Sequence, residues 1–144
     1  MNPFSTSPTQ RQLGIGLLVL RIALGSVFIA HGGQKLFVAG FDGTAAMLSR
    51  MGIPGSGLIG PLLAIVEPLA GVAVLLGLFT RLAGLAIAID MFSAIMLFHR
   101  HNGFFIPMGI EFVMMNCAAG FALAALGGGA FSIDHLLARR RHHS

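Results

Sequence analysis

Arg21, His31, Lys35, Glu67, Asp90 and Glu111 are the residues of this chain whose types suit them to chemistry, and all lie in strongly apolar stretches. A charge at the centre of a bilayer costs at least about 2.5–3.5 kcal/mol on insertion scales, so each such group needs a partner or a wet cavity. Acids and bases held together in an apolar setting can bind a polar headgroup or accept and pass protons. They can also do no more than fix helix register.

Helical spacing shows how these groups can meet. Arg21, Gly25, Phe28, Gly32 and Lys35 recur at alternating steps of four and three and share one helix face. Gly60, Ala64, Glu67, Gly71 and Val74 do the same, as do Ala83, Ala86, Asp90 and Ala94, and Glu111, Met115, Ala118, Ala122 and Ala125. Small residues mark the faces on which membrane helices approach closely. The expected object is a compact bundle with a polar seam. Depth along the segments suggests a deep cluster of Arg21 with Glu67 and Asp90. Lys35 and His31 would then meet Glu111 in an outer one.

Composition supports the membrane setting. Of 144 residues, 56% are hydrophobic and only 10% charged, against about 25% charged in a soluble domain; the mean hydropathy is +0.86. Soluble enzyme folds, nucleic-acid modules and disordered tails are excluded on these grounds. The net charge of +4 comes with one basic cluster, Arg139, Arg140 and Arg141. Such a cluster beside an apolar segment marks topology and anionic headgroups rather than nucleic acid. The single cysteine, Cys117, allows no internal disulfide and reads as a packing residue. Tryptophan and tyrosine are absent, so phenylalanine must supply any interfacial aromatic belt.

The fold class expected is all-α, a polytopic four-transmembrane-helix bundle, because lipid tolerates no unpaired backbone. Residues 1–12 form a flexible lead, 13–137 the transmembrane domain and 138–144 a basic tail. The helices are expected at about 13–38, 58–79, 82–98 and 108–126. The first is too long for a signal peptide and contains Arg21, so it should be retained. A short helix is expected at 43–51, ended by Gly52-Ile53-Pro54-Gly55. Thr80 and Arg81 should form a tight hairpin turn. The distribution of Arg11, Arg81 and the terminal arginines against Arg50 and Arg100 places both termini in the cytoplasm.

No metal site is expected. A transmembrane haem generally takes two facing histidines, and His31 is the only histidine within a span. His99 and His101 belong to a loop at non-helical spacing, His135 follows the last helix, and His142 and His143 close the tail.

The order of short motifs resembles the DoxX family of small membrane proteins. The resemblance runs from Arg21-Ile22-Ala23-Leu24-Gly25 and His31-Gly32-Gly33-Gln34-Lys35-Leu36 through Gly52-Ile53-Pro54, Glu67 with Gly71, and Leu76-Gly77-Leu78 with Thr80-Arg81. It continues through Asn102-Gly103-Phe104-Phe105 and Glu111 to Gly127-Gly128-Gly129 with Ser132-Ile133-Asp134. It implies a multi-pass protein of the bacterial inner membrane, linked to respiratory chemistry. The family takes its name from a subunit of an archaeal terminal quinol oxidase, and relatives occur in thiosulfate:quinone oxidoreductase and in oxidative-stress complexes.

This chain carries no nucleotide fingerprint, haem pair, iron–sulfur cysteine set or dithiol, so no intrinsic cofactor is expected and electron transfer would need a bound quinone or a partner's cofactor. The function expected is therefore that of an accessory subunit of a membrane redox system, more a non-catalytic component than a self-sufficient oxidoreductase. Its partners would be the bilayer, a membrane or peripheral oxidoreductase, and further copies of itself. A proton or small-solute pathway and a structural adaptor are the alternatives.

Overall fold

The computed structural model describes residues 7–105, 107 and 109–141. His142 and His143 lie outside them. A capping box opens α1 (Gln10–Gly33): the Thr9 hydroxyl accepts from the Gln12 N–H at 3.2 Å, and the Thr9 N–H donates to Gln12 Oε1 at 2.9 Å. α1 runs into a π-helical segment, Gln34–Ala39. At Gly40, with φ of +71°, the chain turns into α2 (Gly40–Arg50). The remaining elements are α3 (Ser56–Leu76), α4 (Thr80–Ala94) continued by a π-helical segment Ile95–His99, α5 (Glu111–Leu126) and α6 (Ile133–Arg141). The described residues contain no strand.

The hairpin turn occupies residues 77–79 rather than Thr80 and Arg81, which already belong to α4. Gly77, at φ of +69°, ends α3 with its own N–H on Val74 and the Leu78 N–H on the Ala73 carbonyl at 2.9 Å. This paired closure stops the helix three residues before Thr80. At the other end of the sequence α5 starts at Glu111; Met108, the expected start, lies outside the described residues. The backbone just before it is folded instead by turns, with the Ile110 N–H on Gly103 and the Glu111 N–H on Phe104. Sixteen helical residues span about 24 Å, less than the hydrocarbon thickness. Three helical stretches, Gln10–Arg50, Ser56–Leu76 and Thr80–His99, are long and apolar enough to cross a membrane. Large apolar side chains such as Phe37, Leu58, Leu69 and Leu82 cover the outside. The protein is an all-α, multi-pass membrane protein.

Two helix pairs carry the bundle, and both are built on facing glycines. α1 runs antiparallel to α3. A Cβ on Gly25 would stand 2.8 Å from the Gly71 carbonyl oxygen, and one on Gly71 would stand 2.9 Å from that of Gly25. α4 and α5 repeat the arrangement, with a Cβ on Gly84 2.7 Å from the Gly120 oxygen and one on Gly120 2.9 Å from the Gly84 oxygen. Backbone therefore touches backbone at each crossing, which only glycine permits. Further along α1, Gly32 lies against Pro68 of α3; α2 packs on α3 where Gly60 meets Ala45. Leu24, Phe28, Val74, Ile87 and Leu123 fill the core between the pairs.

Gly120→Leu is expected to lower stability by about 1–3 kcal/mol or more, measured as thermal unfolding in detergent. Gly16→Leu, where a side chain meets nothing within 4 Å, should change it little.

Candidate functional site

Arg21 closes one end of the bundle. It is 2% exposed, yet no acid in the transmembrane helices pairs with it. Its Nε donates to the Val74 carbonyl and its Nη2 to that of Leu75, while Nη1 reaches Gly128 and Phe131, all at 2.9 Å. The cation thus meets the carbonyl end of α3, where the helix dipole is negative, and ties the glycine-rich segment after α5 to it. The expected pairing of Arg21 with Glu67 and Asp90 is not made. The antiparallel register puts Arg21 level with Val74 and Leu75, two turns or about 10 Å from Glu67.

Asp134 completes this knot from the other side of the turn. Its Oδ1 accepts from the Phe79 N–H and its Oδ2 from the Thr80 N–H and hydroxyl, each at 2.8 Å. Phe79 sits in the left-handed region, φ of 48°, and this carboxylate supplies the cap that α4 lacks locally. Burial pushes the carboxyl up. The Thr80 and Phe79 donors and the Arg21 charge outweigh it and hold Asp134 below its ordinary value.

At the opposite end Lys35, Glu67 and Asp90 line a cavity of about 550 Å³, bordered by α1 to α5 and both π-helical segments. Lys35 forms an ion pair with Glu67. The Lys35 side chain is 25% exposed and that of Glu67 3%. Asp90 lies within electrostatic reach of both and also lines the cavity. Lys35 pairs with Glu67 because Gly32 against Pro68 sets the register of α1 on α3. His31 stands at the rim, its ring 6.0 Å from that of Phe112. Glu111 heads α5, whose contribution to the cavity wall is Phe112, Val113 and Asn116. Glu67 Oε2 and Asp90 Oδ2 are buried with no separate donor among the described residues, and the two carboxyl groups lie close enough to hydrogen-bond to each other. Also among the described residues, no group of three or more His, Cys, Asp or Glu could hold a metal.

The comparisons with known proteins agree on one assignment. The DoxX family profile matches residues 16–100. The chain belongs to the DoxX family. The inner membrane protein YqjF of Escherichia coli is 36% identical over 131 residues, covering 88% of this chain and 95% of the relative. The inner membrane protein YphA of the same organism is 32% identical, covering 82% and 87%. A Bacillus subtilis protein, CatD, named as a candidate oxidoreductase, is 34% identical over 57% of this chain and 58% of its own. No solved structure gives a significant match.

Two residues of this DoxX chain matter more than the sequence pattern indicated. Asn116 is 8% exposed and lines the cavity. It lies on the face of Val113, Gly120 and Leu123, whereas the expected α5 face turns outward at Met115, 67% exposed. The spacing of Val113, Asn116, Gly120 and Leu123 is equally helical and was the available signal. Asp134 stands out in sequence only within Ser132-Ile133-Asp134; its carboxylate's partners are two backbone N–H groups and one hydroxyl, 54 and 55 positions away. Cys117 packs at the α4–α5 contact with its thiol on the Ala88 carbonyl.

Arg21→Met should cost about 3–5 kcal/mol by stranding buried carbonyls; thermal unfolding measures it. Asp134→Asn should cost about 1 kcal/mol. Because the folded carboxyl titrates below 3.8, its contribution is complete above that pH and is lost as pH falls through the folded value. The stability gap between wild type and Asp134→Asn should therefore shrink on acidification below about pH 4.

Proposed function

We propose that this DoxX protein is an accessory component of a quinone-linked redox system in the bacterial inner membrane, with both termini in the cytoplasm. The observation that carries this reading is the cavity. It is mostly apolar, lies within the helical bundle, and has Lys35, Glu67 and Asp90 on one wall with His31 at its rim. Ligand sites have this character: an apolar enclosure with few polar groups that fix orientation. Phe28, Phe98 and Phe112 offer flat surfaces to a ring.

Both π-helical segments contribute to the cavity, through Lys35 and through Leu97, Phe98 and His99, and π-turns gather at functional sites. The name of the Bacillus relative is consistent with redox work. Electrons would have to come from a partner, since no intrinsic redox group is implied by the sequence. A solute path through a single chain is less well supported, because Leu24, Val74, Ile87 and Leu123 are packed between the cavity and Arg21.

Purification of the full chain from native membranes in mild detergent should retain a quinone and an oxidoreductase partner. The double variant Lys35→Met with Glu67→Gln should lower quinone retention about tenfold or more, equivalent to one lost charge-assisted hydrogen bond. Quinone content and partner assembly that both survive this change at wild-type levels would falsify the proposal. A structural adaptor would instead lose folded protein while quinone per folded molecule stayed constant.

A further inference from the structure

α6 is held at its start and uncovered beyond it. The Asp134 N–H donates to the Gly77 carbonyl at 2.9 Å, and the Asp134 carboxylate caps Phe79 and Thr80. Thr80 opens a stretch apolar and long enough to span a membrane, so α6 begins at the level where the helices leave the hydrocarbon. Every residue from 135 to 140 is exposed, including Leu136 at 58% and Leu137 at 46%. Ile133, Leu136, Leu137 and Arg140 share one helix face. Nine helical residues reach about 13 Å, so an α6 pointing away from the bilayer would hold both leucines in water.

Charge at this end is one-sided. Arg11, Arg81, Arg139 and Arg140 are all exposed. Arg81 lies along the backbone of Gly127, where a Cβ would stand 3.4 Å from its Nε. Arg11 precedes Gly14, which packs against Ala130 and Phe131. Of the five acids in the chain, Asp42, Glu67, Asp90 and Glu111 belong to the half of the bundle that holds the cavity. Only Asp134 is at this end, and its carboxylate is engaged by the α3–α4 turn.

We propose that α6 lies in the membrane interface and, with Arg11 and Arg81, forms a binding surface for anionic lipid headgroups. Leu136 and Leu137 enter the acyl boundary beside the α3–α4 turn, as the apolar face of an interfacial helix does. Arg139 and Arg140 extend to lipid phosphates, Arg140 snorkelling from the apolar face. The planar guanidinium fork matches phosphate oxygens in pairs. A bilayer satisfies leucines and arginines together at the depth where they stand; a dissolved anion would satisfy only the arginines. This surface is at the far end of the bundle from the cavity and is independent of the quinone-linked reading.

The chain has no tryptophan, so one introduced indole reports alone. Full-length Leu137→Trp is placed in nanodiscs of phosphatidylcholine and phosphatidylglycerol, with bromine carried on the acyl chains of one lipid or the other. Its emission should be blue-shifted, and quenched severalfold more by brominated phosphatidylglycerol than by brominated phosphatidylcholine at equal mole fraction. Adding Arg139→Gln and Arg140→Gln should bring the two quenching efficiencies together. Ala138→Trp, on the opposite face of α6, should be quenched several times less by either lipid. These positions are exposed and outside the Arg21–Asp134 knot, so thermal unfolding should be unchanged in all the variants. An indole at position 137 that emits as in water and escapes both quenchers would leave the leucine face to a protein partner and overturn the proposal. Equal quenching by the two lipids would mean insertion without headgroup recognition, and would overturn it as well.

Discussion

Helices in a bilayer gain nothing by hiding apolar side chains from one another, because lipid is as apolar as leucine. What holds this bundle is close backbone contact at two glycine crossings, Gly25 with Gly71 and Gly84 with Gly120. Each crossing sets the height of one helix against its neighbour, and that height decides every longer-range pairing. With Gly25 on Gly71, Arg21 is level with the end of α3, and with Gly32 on Pro68, Lys35 reaches Glu67. A single larger residue at either crossing would push the helices apart and shift these encounters together.

The two ends of the bundle treat charge in different ways. At the Arg21 end polar groups find protein partners: four backbone carbonyls on the guanidinium, and two backbone donors with one hydroxyl on Asp134. That arrangement joins α1, the α3–α4 turn and the segment leading to α6, and it fits a structural role. At the Lys35 end, acids outnumber the cation, and two neighbouring carboxyl oxygens find no separate donor among the described residues beside a large cavity. Stability alone gives no reason to keep such groups in a membrane, where each is costly. The contrast separates the charges that build the protein from those suited to a ligand.

Much of the architecture was legible because two helices carry unambiguous faces. On α1 and α3 the glycines and charges share one stripe, and the structure buries Gly25, Phe28, Gly32, Gly60, Ala64, Glu67, Gly71 and Val74 as the spacing indicates. α5 was harder to read. Alanine, glycine and methionine occur on several of its faces, so periodicity could not rank them, and Gly120 against Gly84 turned Asn116 inward. The partners of Arg21 were invisible for another reason: every residue has a carbonyl, so a side chain bound to backbone leaves no complementary residue to find. The π-helical segments at Gln34–Ala39 and Ile95–His99 likewise carry no distinctive residue pattern.

Residue order alone determined that the chain lives in a membrane, that it is helical, which faces of α1 and α3 meet neighbours and which few charges are costly enough to matter. Those properties depend on composition and on the period of a single helix, both local to the sequence. Which charge meets which was decided only by tertiary structure. Axial register between antiparallel helices moves by about 1.5 Å for each residue of slip. Two turns of offset are enough to give Arg21 to the carbonyls of α3 and to leave Glu67 and Asp90 facing a cavity with Lys35.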